Sequence, residues 1–453
     1  MRRTLNTALS FIIVFAVCCS PRAEEPLLTD QAVATAWADM TLYVTKNTPA
    51  NSPTYASRAL AYIGLTMYES IVHGYPSHAS MIRQLNGLDS LPQPTHHSYD
   101  WLISLNAGQA RILKRLYNQT SDDNKKKIDS LEAYFVQRLA YSRDEQVVSR
   151  SAAYGQSVAE AIFEWSKSDG GHRGYLANFD KTFHRDKTPG CWEPPLYGQA
   201  ISHRPLHPKW GENRNFLLAN KELQLPLMIR YNQDKLSDYY KECHAVYEKN
   251  RILTQDEKEA ALWWGDDPGE TFTPPGHSYY VATLVIRKAN PALIKCAETY
   301  ARVGLAVGDA FINCWKWKYH FYSERPSSFI TKHIDERWES FWPDPPFPAF
   351  PSGHATQAAA VAKVLESLYG PEFEFTDDAH AKRPRDRFRN VDFKPRSFKT
   401  FWAVAEETAN SRFYGGIHSP QDNRVGLEEG AKIGNNVNRL NWQKEPMYAD
   451  AKK

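Results

Sequence analysis

Apolar residues recur every three or four positions through most of this 453-residue chain, and this spacing constrains the fold more than any other feature. Leu60, Ile63 and Met67 are one example, and Ile312 with Trp315 is another. Such spacing places the apolar side chains on one face of an α-helix. Strand-like alternation is scarce, and no repeat of fixed period occurs. The sequence therefore predicts an all-α fold, with two helical bundles packed together.

One segment breaks the helical pattern. Residues 172–213 are rich in Pro, Gly, His and Trp, and a helix interior does not accommodate the five prolines between positions 189 and 208. We predict a long ordered loop, and loops of this length in compact proteins are often functional. Within it, His172, Trp192 and Trp210 are candidates for covering a functional site.

The chain divides into three sections by pattern. Residues 1–24 form a leader, residues 25–250 an N-terminal helical region, and residues 251–445 a C-terminal helical region that contains the candidate chemistry. At about 430 residues after the leader, the chain is long enough for two or three hydrophobic cores.

The leader predicts export from the cell interior. Arg2 and Arg3 precede an apolar run that is too short to span a bilayer permanently. Two processing routes fit this pattern, namely ordinary cleavage after Ala23 or a lipid anchor at Cys18 or Cys19. We therefore expect an exported protein that is periplasmic, anchored to a membrane by lipid, or secreted.

Charge and hydropathy exclude two classes of function. The chain has 55 Lys and Arg against 52 Asp and Glu, and the net charge of +3 is too small for a general nucleic-acid binder. No stretch of 18 apolar residues follows the leader, and the mean hydropathy is −0.57, so we predict no transmembrane span. An anion would have to be bound by a local cluster of cations.

Cysteine and histidine spacing in most of the chain does not indicate a metal site. The cysteines beyond the leader are widely separated: Cys191, Cys243, Cys296 and Cys314. We predict free thiols, with one disulfide as the open alternative. Two histidine pairs resemble metal pairs but have no suitable context: His96 with His97 in a Pro-rich turn, and His203 with His207 in a loop without a nearby carboxylate.

Three short segments in the last third carry residues that make chemical sense together. In the first, Lys318 and Arg325 are seven residues apart, which is two helical turns, so both cations lie on one helix face. Pro326 stops the helix directly after Arg325. The guanidinium therefore lies at a helix end.

The second segment runs from Pro351 to His354 and is followed by helix-forming residues. Here Ser352 offers a hydroxyl, and Gly353 offers a backbone N–H that a ligand can approach closely. The positive end of the following helix adds to this attraction for anions. The segment predicts an oxyanion cradle with His354 beside it.

The third segment places Arg412 six residues before His418 and Asp422 four residues after it. We expect Asp422 to orient His418 by accepting from one ring nitrogen, which leaves the other free to attack or coordinate. Together the three segments supply three cations, a hydroxyl, a glycine N–H and two histidines. That set suits a tetrahedral or trigonal-bipyramidal oxyanion.

In this order, Lys-x6-Arg-Pro, Pro-Ser-Gly-His and Ser-Arg-x5-His-x3-Asp resemble the three-part signature shared by vanadium-dependent haloperoxidases and type 2 phosphatidic acid phosphatases. Every signature position is filled, and residues 264–275 and 345–354 further resemble the soluble haloperoxidase branch. The gap between His354 and Ser411 is long for the family. We expect the insertion at 377–396, a charged, Pro-containing stretch, to be a surface loop.

The resemblance implies a vanadate cofactor, with phosphate able to occupy the same site. It implies that His418 binds the vanadium and that His354 is the acid–base group. The oxyanion would be held by a further set of residues: Lys318, Arg325, Ser352, Gly353 and Arg412. The resemblance also suggests that Asp266 pairs with one of the arginines, with the adjacent Asp267 as its alternative.

Two aromatic residues bear on the choice of reaction. Trp315 and Phe347 fall where the haloperoxidase branch has apolar residues that line the halide pocket, and a dry aromatic wall favours halide oxidation. In a phosphatase the same two residues would be packing residues. Glu324 departs from the aromatic expected before Arg325, and an acid there would weaken anion affinity.

The resemblance implies an enzyme that oxidises halide with hydrogen peroxide at a His-bound vanadate. The alternative is an exported acid phosphatase that hydrolyses phosphate monoesters, in which His418 forms a phosphohistidine and His354 protonates the leaving alcohol. A non-catalytic oxyanion-binding protein is a third class, for which two differently placed histidines are superfluous. The same resemblance suggests a homo-oligomer.

Overall fold

The architecture is built almost entirely from α-helices, as the spacing predicts. The computed structural model describes residues 28–141, 143–185, 187–194, 202 and 204–444. Within them, fourteen α-helices follow one another: α1 Asp30–Asn47, α2 Pro53–Glu69, α3 Trp101–Leu116, α4 Asp122–Ala140, α5 Glu145–Ser166, α6 Leu218–Lys221, α7 Asp238–Arg251, α8 Gln255–Trp263, α9 Thr273–Ala289, α10 Leu293–Phe321, α11 Pro326–His333, α12 Gly353–Tyr369, α13 Phe401–Tyr414 and α14 Pro420–Asn438.

A single antiparallel pair of strands, β1 (Phe375–Asp377) and β2 (Arg396–Phe398), is the one sheet in the described residues. None of the helices in those ranges is long and apolar enough to cross a membrane. The prediction of an all-α fold made of packed helical bundles is confirmed.

The 29-residue helix α10 lies between two groups of helices and is buried along most of its length. It packs on α2 on one side and on α12 on the other. Two glycines allow α2 and α10 to approach closely, because a Cβ at Gly64 would lie 2.3 Å from the Tyr300 carbonyl oxygen and a Cβ at Gly304 would lie 2.6 Å from that of Leu60. Any larger side chain would force the two helices apart.

The N-terminal group consists of α1, α2, α3, α5 and α9. Its buried ion pair joins Nε of Arg58 to Oδ2 of Asp169 at 2.6 Å. The Asp309 carboxylate on α10 accepts hydrogen bonds from the backbone N–H groups of Phe216 and Leu217, which fixes the end of the long loop to the central helix. These contacts satisfy buried polar groups that would otherwise be costly.

The C-terminal group consists of α8, α12, α13 and α14 and positions the site. Gly426, Gly430 and Gly434 form a stripe on α14 that contacts the backbone of α12; a Cβ at Gly430 would lie 2.1 Å from the Thr356 carbonyl oxygen. This close packing brings the start of α12 next to the start of α14. Ser352 and Gly353 of the second signature segment lie at the start of α12. Of the third segment, Asp422 lies in the first turn of α14 and Arg412 near the end of α13.

Two sequence expectations about loops and thiols have clear outcomes. Residues 377–396 are mostly exposed or half-buried, as expected of a surface loop, but Asp377, His380 and Val391 are 0–2% exposed. The expectation missed these because Asp377 and His380 pair with buried partners in α9 and in the turn before it. The four described cysteines are free thiols, as predicted.

Some expectations lie outside the described residues. The leader with Arg2, Arg3, Cys18, Cys19 and Ala23 is among them, as is His203. The domain boundary at residues 250 and 251 also stays a prediction.

His207 is buried, with Nε2 2.9 Å from the Gly174 carbonyl oxygen, and its ring stacks on Trp210.

Candidate active site

Lys318 occupies the last turn of α10 and is completely buried. Its ammonium group donates to the carbonyl oxygens of Pro348 and Ala349 at 2.8 and 2.6 Å. These bonds use two of its three donors, so one remains for a ligand. Burial lowers the pKa of Lys318 to about 7. An anion beside it would favour the charged form.

Arg325 lies beyond α10, which ends at Phe321, and directly precedes α11, in which Pro326 takes the first helical position. The prediction that Lys318 and Arg325 lie on one helix face was therefore wrong, because Tyr322 turns the chain in a left-handed conformation between them. Its guanidinium donates to the carbonyl oxygens of Phe347 (2.9 and 3.1 Å) and Ile417 (2.9 Å). Nη1 also lies 3.1 Å from Nε2 of His418. Burial lowers the pKa of Arg325 to about 10, so the group stays charged at neutral pH.

Ser352 caps α12 at its N-terminus, and Gly353 is the first helical residue. The Ser352 hydroxyl accepts from the backbone N–H of Ala355 at 3.4 Å. A Cβ at Gly353 would be 3.7 Å from Trp315 and 3.9 Å from Cε of Lys318, so the glycine borders the cationic pocket. The segment thus lies at the positive end of a helix, where the sequence predicted an oxyanion cradle; anion binding there stays a prediction.

His418 lies just before α14 and is held by Asp422 in that helix's first turn. Nδ1 of His418 is 2.9 Å from Oδ2 of Asp422, and that oxygen also accepts from the backbone N–H of Ser419. Burial, followed by the charges of Arg325 and Lys318, holds the pKa of His418 well below its usual range. A neutral ring that donates from Nδ1 presents a lone pair at Nε2, which suits a ligand or a nucleophile.

Arg412 and His354 each keep one buried nitrogen without a partner among the described residues, Nη1 and Nε2 respectively. The other nitrogens of Arg412 donate to Ser411 Oγ at 3.0 Å and to the carbonyl oxygen of Ala261. Burial and then the charge of Arg412 lower the pKa of His354 to about 3, while a hydrogen bond to the Trp264 backbone opposes that shift. Two unpaired nitrogens in a cationic pocket fit a missing oxyanion.

Trp315 and Phe347 pack together with ring centroids 4.9 Å apart. The ring of Phe347 also lies under Lys318 Nζ at 5.3 Å and Arg325 Cζ at 5.1 Å. The indole N–H of Trp315 donates to the carbonyl oxygen of Leu206 at 3.1 Å. The two rings therefore form an aromatic wall against the cations, as predicted.

The long loop contributes to this wall through a residue that sequence reasoning missed. Leu206 supplies the carbonyl that holds Trp315, and its own N–H donates to Pro346. Trp192 instead packs edge-on against Tyr322, and His172 contacts Phe163. No pattern around Leu206 indicated its role, because the contact uses the backbone.

Asp266 does not form the expected hydrogen bond with an arginine. Its carboxylate pairs with His277 and His380 at 2.7 and 2.9 Å, so each oxygen has a histidine partner. Burial lowers the pKa of Arg412 to about 10, and the negative charge of Asp267, followed by that of Asp266, opposes this shift. The adjacent acid therefore has the larger electrostatic effect on Arg412. His277 and His380 were missed because they are 11 and 114 residues from Asp266.

Glu324 is buried beside Arg325 and contacts Tyr239 and Lys332. The Tyr239 hydroxyl is 3.5 Å from Oε1, and Lys332 Nζ is 3.8 Å from Oε2. Burial raises the pKa of Glu324 to about 7. The acid is thus partly neutralised by protonation at neutral pH, which reduces the repulsion it would exert on an anion.

Comparisons with known proteins agree with this geometry. The second helical-bundle domain of vanadium chloroperoxidase (VCPO) matches residues 331–444. The vanadium chloroperoxidase of Curvularia inaequalis is 28% identical over 165 residues, an alignment that covers 27% of this chain and 27% of that protein. The chain is thus aligned with only about a quarter of that relative's length.

Two solved structures share the fold. The crystal structure of the first bacterial vanadium-dependent iodoperoxidase has a TM-score of 0.80 and 28% identity, and the match covers 93% of this chain and 99% of that one. A holo-type bacterial vanadium-dependent chloroperoxidase has a TM-score of 0.62 at 16% identity, covering 91% and 93% of the two chains. The matched domain, the chloroperoxidase relative and the shared fold confirm the resemblance predicted from the sequence: this chain is related to the vanadium-dependent haloperoxidases.

Proposed function

We propose that this protein is a vanadium-dependent haloperoxidase, an enzyme that oxidises halide with hydrogen peroxide. The observation that carries the proposal is the pair of unpaired buried nitrogens, Arg412 Nη1 and His354 Nε2. Both residues act on the pKa of His418 together with two further buried cations, Lys318 and Arg325. A buried polar group without a partner costs about 1–3 kcal/mol. A tetrahedral oxyanion with one protonated oxygen would satisfy both nitrogens.

The residues present fit vanadate. His418 would bind the vanadium through Nε2, because Asp422 already occupies Nδ1. The oxygens would be held by the cations and by the start of α12: Lys318, Arg325, Arg412, Ser352 and the Gly353 N–H. Bound vanadate would supply a Lewis-acidic centre that makes hydrogen peroxide electrophilic toward halide.

His354 handles the protons in this proposal. Its ring is neutral, because burial and Arg412 lower its pKa to about 3. A neutral Nε2 can take a proton from hydrogen peroxide as the peroxide enters the site. It can then return that proton to the oxygen that leaves as water, which is general acid–base catalysis.

We propose iodide as the halide to be oxidised. The similar bacterial iodoperoxidase shares 28% identity with this chain over nearly its whole length, which supports this choice. Trp315 and Phe347 would strip water from the entering halide, since an aromatic wall offers no hydrogen bonds that replace hydration.

The experiment mixes purified protein with iodide and hydrogen peroxide and follows triiodide absorbance before and after orthovanadate is added. Bromide is tested in parallel, and release of nitrophenol from its phosphate ester is measured with the same sample. Iodide oxidation that depends on vanadate supports the proposal. Ester hydrolysis that vanadate inhibits, without halide oxidation, would instead make the protein a phosphatase with His418 as its nucleophile.

Export and assembly are further parts of the proposal. The leader pattern supports export, and mass spectrometry of the mature N-terminus distinguishes cleavage after Ala23 from a lipidated Cys18 or Cys19. A homo-oligomer rests on the sequence resemblance, and light scattering of the purified protein measures it.

A further inference from the structure

Asp266 is the centre of a buried network of two carboxylates and two histidines. Its Oδ2 is 2.7 Å from Nδ1 of His277, and its Oδ1 is 2.9 Å from Nε2 of His380. On the far side of the His277 ring, Nε2 is 2.7 Å from Oδ2 of Asp377. None of these four side chains is more than 3% exposed. We call these four residues the Asp–His network.

His277 carries a positive charge in the Asp–His network. A carboxylate only accepts hydrogen bonds, so both ring nitrogens must be protonated to pair with Asp266 and Asp377. Burial lowers the pKa of His277, but the two carboxylates outweigh burial and raise it to about 10. The two buried acids therefore share a cation, which removes most of the cost of burying them.

Asp266, His277 and His380 are also residue types that bind metal ions, and their ligand atoms lie within 4.8 Å of one another. The individual distances favour hydrogen bonds. Two ligand atoms at about 2.1 Å from one ion would be about 3.4 Å apart at a tetrahedral angle and about 3.0 Å apart at a right angle. The 2.7 Å separation between Asp266 and His277 is shorter than both.

The Asp–His network holds one edge of the segment 261–266, which joins the end of α8 to the turn before α9. Asp266 itself has a φ of 53°, a left-handed conformation that costs a non-glycine residue about 1–2 kcal/mol. Trp264 stacks on His277 with ring centroids 4.4 Å apart, and the indole N–H of Trp263 donates to Asp377 at 2.7 Å. Trp263 and Trp264 are thereby held against the Asp–His network, to which Asp266 itself belongs.

The other edge of segment 261–266 contacts the active site through its backbone. The carbonyl of Ala261 accepts a hydrogen bond from Arg412. Trp264 and Asp266 line the same cavity as His354, and the backbone of Trp264 opposes the lowering of the pKa of His354. Arg412 and His354 are the two residues that each keep an unpaired nitrogen. A shift of the segment would therefore redirect both unpaired nitrogens.

We propose that His277, Asp377 and His380 are positioning residues that aim Arg412 and His354 at the bound oxyanion through segment 261–266. They act at a distance, because none of their described hydrogen bonds or ring contacts is with a signature residue: they contact each other, segment 261–266 and the rings of Phe272 and Phe393. The inference rests on the proposed function only for the identity of the oxyanion. Binding of inorganic phosphate tests it without any halide oxidation.

The test compares two substitutions of His277 that each keep one of its contacts. In His277→Asn the side-chain N–H₂ lies near the position of Nδ1 and can still donate to Asp266. In His277→Gln it reaches the position of Nε2 and can donate to Asp377 instead. Because Asp266 carries the strained backbone, the asparagine variant should retain the geometry better than the glutamine variant.

Phosphate affinity is measured by calorimetry on the purified full chain without vanadate, and kcat and KM for iodide are measured with saturating vanadate. We expect His277→Gln to weaken phosphate binding by about tenfold and to lower kcat by about tenfold. The KM for iodide should change by less than about twofold. His277→Asn should stay within about threefold of the unaltered protein in both quantities. A purely structural role would not separate the two variants in this way.

Asp169→Asn is the matched control, because it disrupts the buried pair with Arg58 in the N-terminal group and costs stability elsewhere. Equal phosphate affinity in Asp169→Asn and His277→Gln would overturn the inference. Should the His277 variants not fold, Asp377→Asn takes their place with an expected loss of about threefold, and an unchanged affinity there would overturn it too. If His277→Gln weakens phosphate binding but the unaltered protein oxidises no halide, this inference stands and the proposed function is refuted.

Discussion

The two halves of the active site differ in how their donors are used. Lys318 and Arg325 donate mainly to backbone carbonyls of residues 347–349 and 417, so this half is built into the fold. In the other half, Arg412 Nη1 and His354 Nε2 have no partner among the described residues. The first half therefore mainly holds the pocket together and leaves one donor of Lys318 for the ligand, whereas the second half keeps Arg412 Nη1 and His354 Nε2 available to it.

His418 lies between the two halves, and its removal should have the largest effect. In His418→Ala the ring nitrogen next to Arg325 is lost, and with it the attachment point for the oxyanion's central atom. We expect turnover to fall by at least about 1,000-fold. Steady-state halide oxidation measures the loss, and a variant that retains half of its activity would contradict the assignment.

His354→Ala should separate turnover from binding. The variant loses the proton carrier, which is worth about 100-fold or more in rate. It keeps all three cations, so phosphate affinity measured by calorimetry should change by less than about tenfold. Full activity in this variant would show that the acid–base group lies elsewhere.

A matched pair of substitutions compares the two halves directly. Arg325→Lys leaves the buried carbonyls of Phe347 and Ile417 without donors, which should destabilise the protein by about 1–3 kcal/mol. Arg412→Lys has fewer backbone contacts to lose and should mainly weaken phosphate binding, by about tenfold. Thermal unfolding and calorimetry of both variants measure the contrast. Equal losses of stability in Arg325→Lys and Arg412→Lys would show that the two halves of the site do not differ in this way.

The smallest expected effect is a pH dependence from Lys318. Burial lowers its pKa to about 7 in the folded protein, against its ordinary 10.5. Between these values the unfolded chain binds a proton that the folded one lacks, so the stability of the ligand-free protein should rise with pH. Phosphate affinity should fall over the same range as the cation is lost. The test measures Tm and phosphate affinity as a function of pH in the unaltered protein and in Lys318→Met. If both proteins show the same pH dependence, Lys318 is not its cause.

The sequence could predict the helices and the signature residues because both depend on short spacings. Lys318 and Arg325 do not share a helix, because α10 ends at Phe321. Asp422, by contrast, meets His418 at a spacing of one helical turn, as predicted. A local repeat of this kind survives in any packing of the helices.

The partners of Asp266 could not be predicted in this way. His277 and His380 reach it from α9 and from the segment after β1, and only the tertiary packing brings them together. The burial of Asp377 and His380 within the otherwise exposed stretch 377–396 was missed for the same reason, because their partners lie far away in the sequence. Leu206 contributes a backbone carbonyl, which side-chain patterns do not reveal.

Vanadate-dependent halide oxidation is tested most directly by titrating the purified protein with orthovanadate while peroxide-dependent iodide oxidation is followed. We expect activity to rise linearly and to saturate at one vanadate per chain, and inorganic phosphate to compete for the same site. Activity that is independent of vanadate, or vanadate binding that phosphate does not displace, would contradict this expectation.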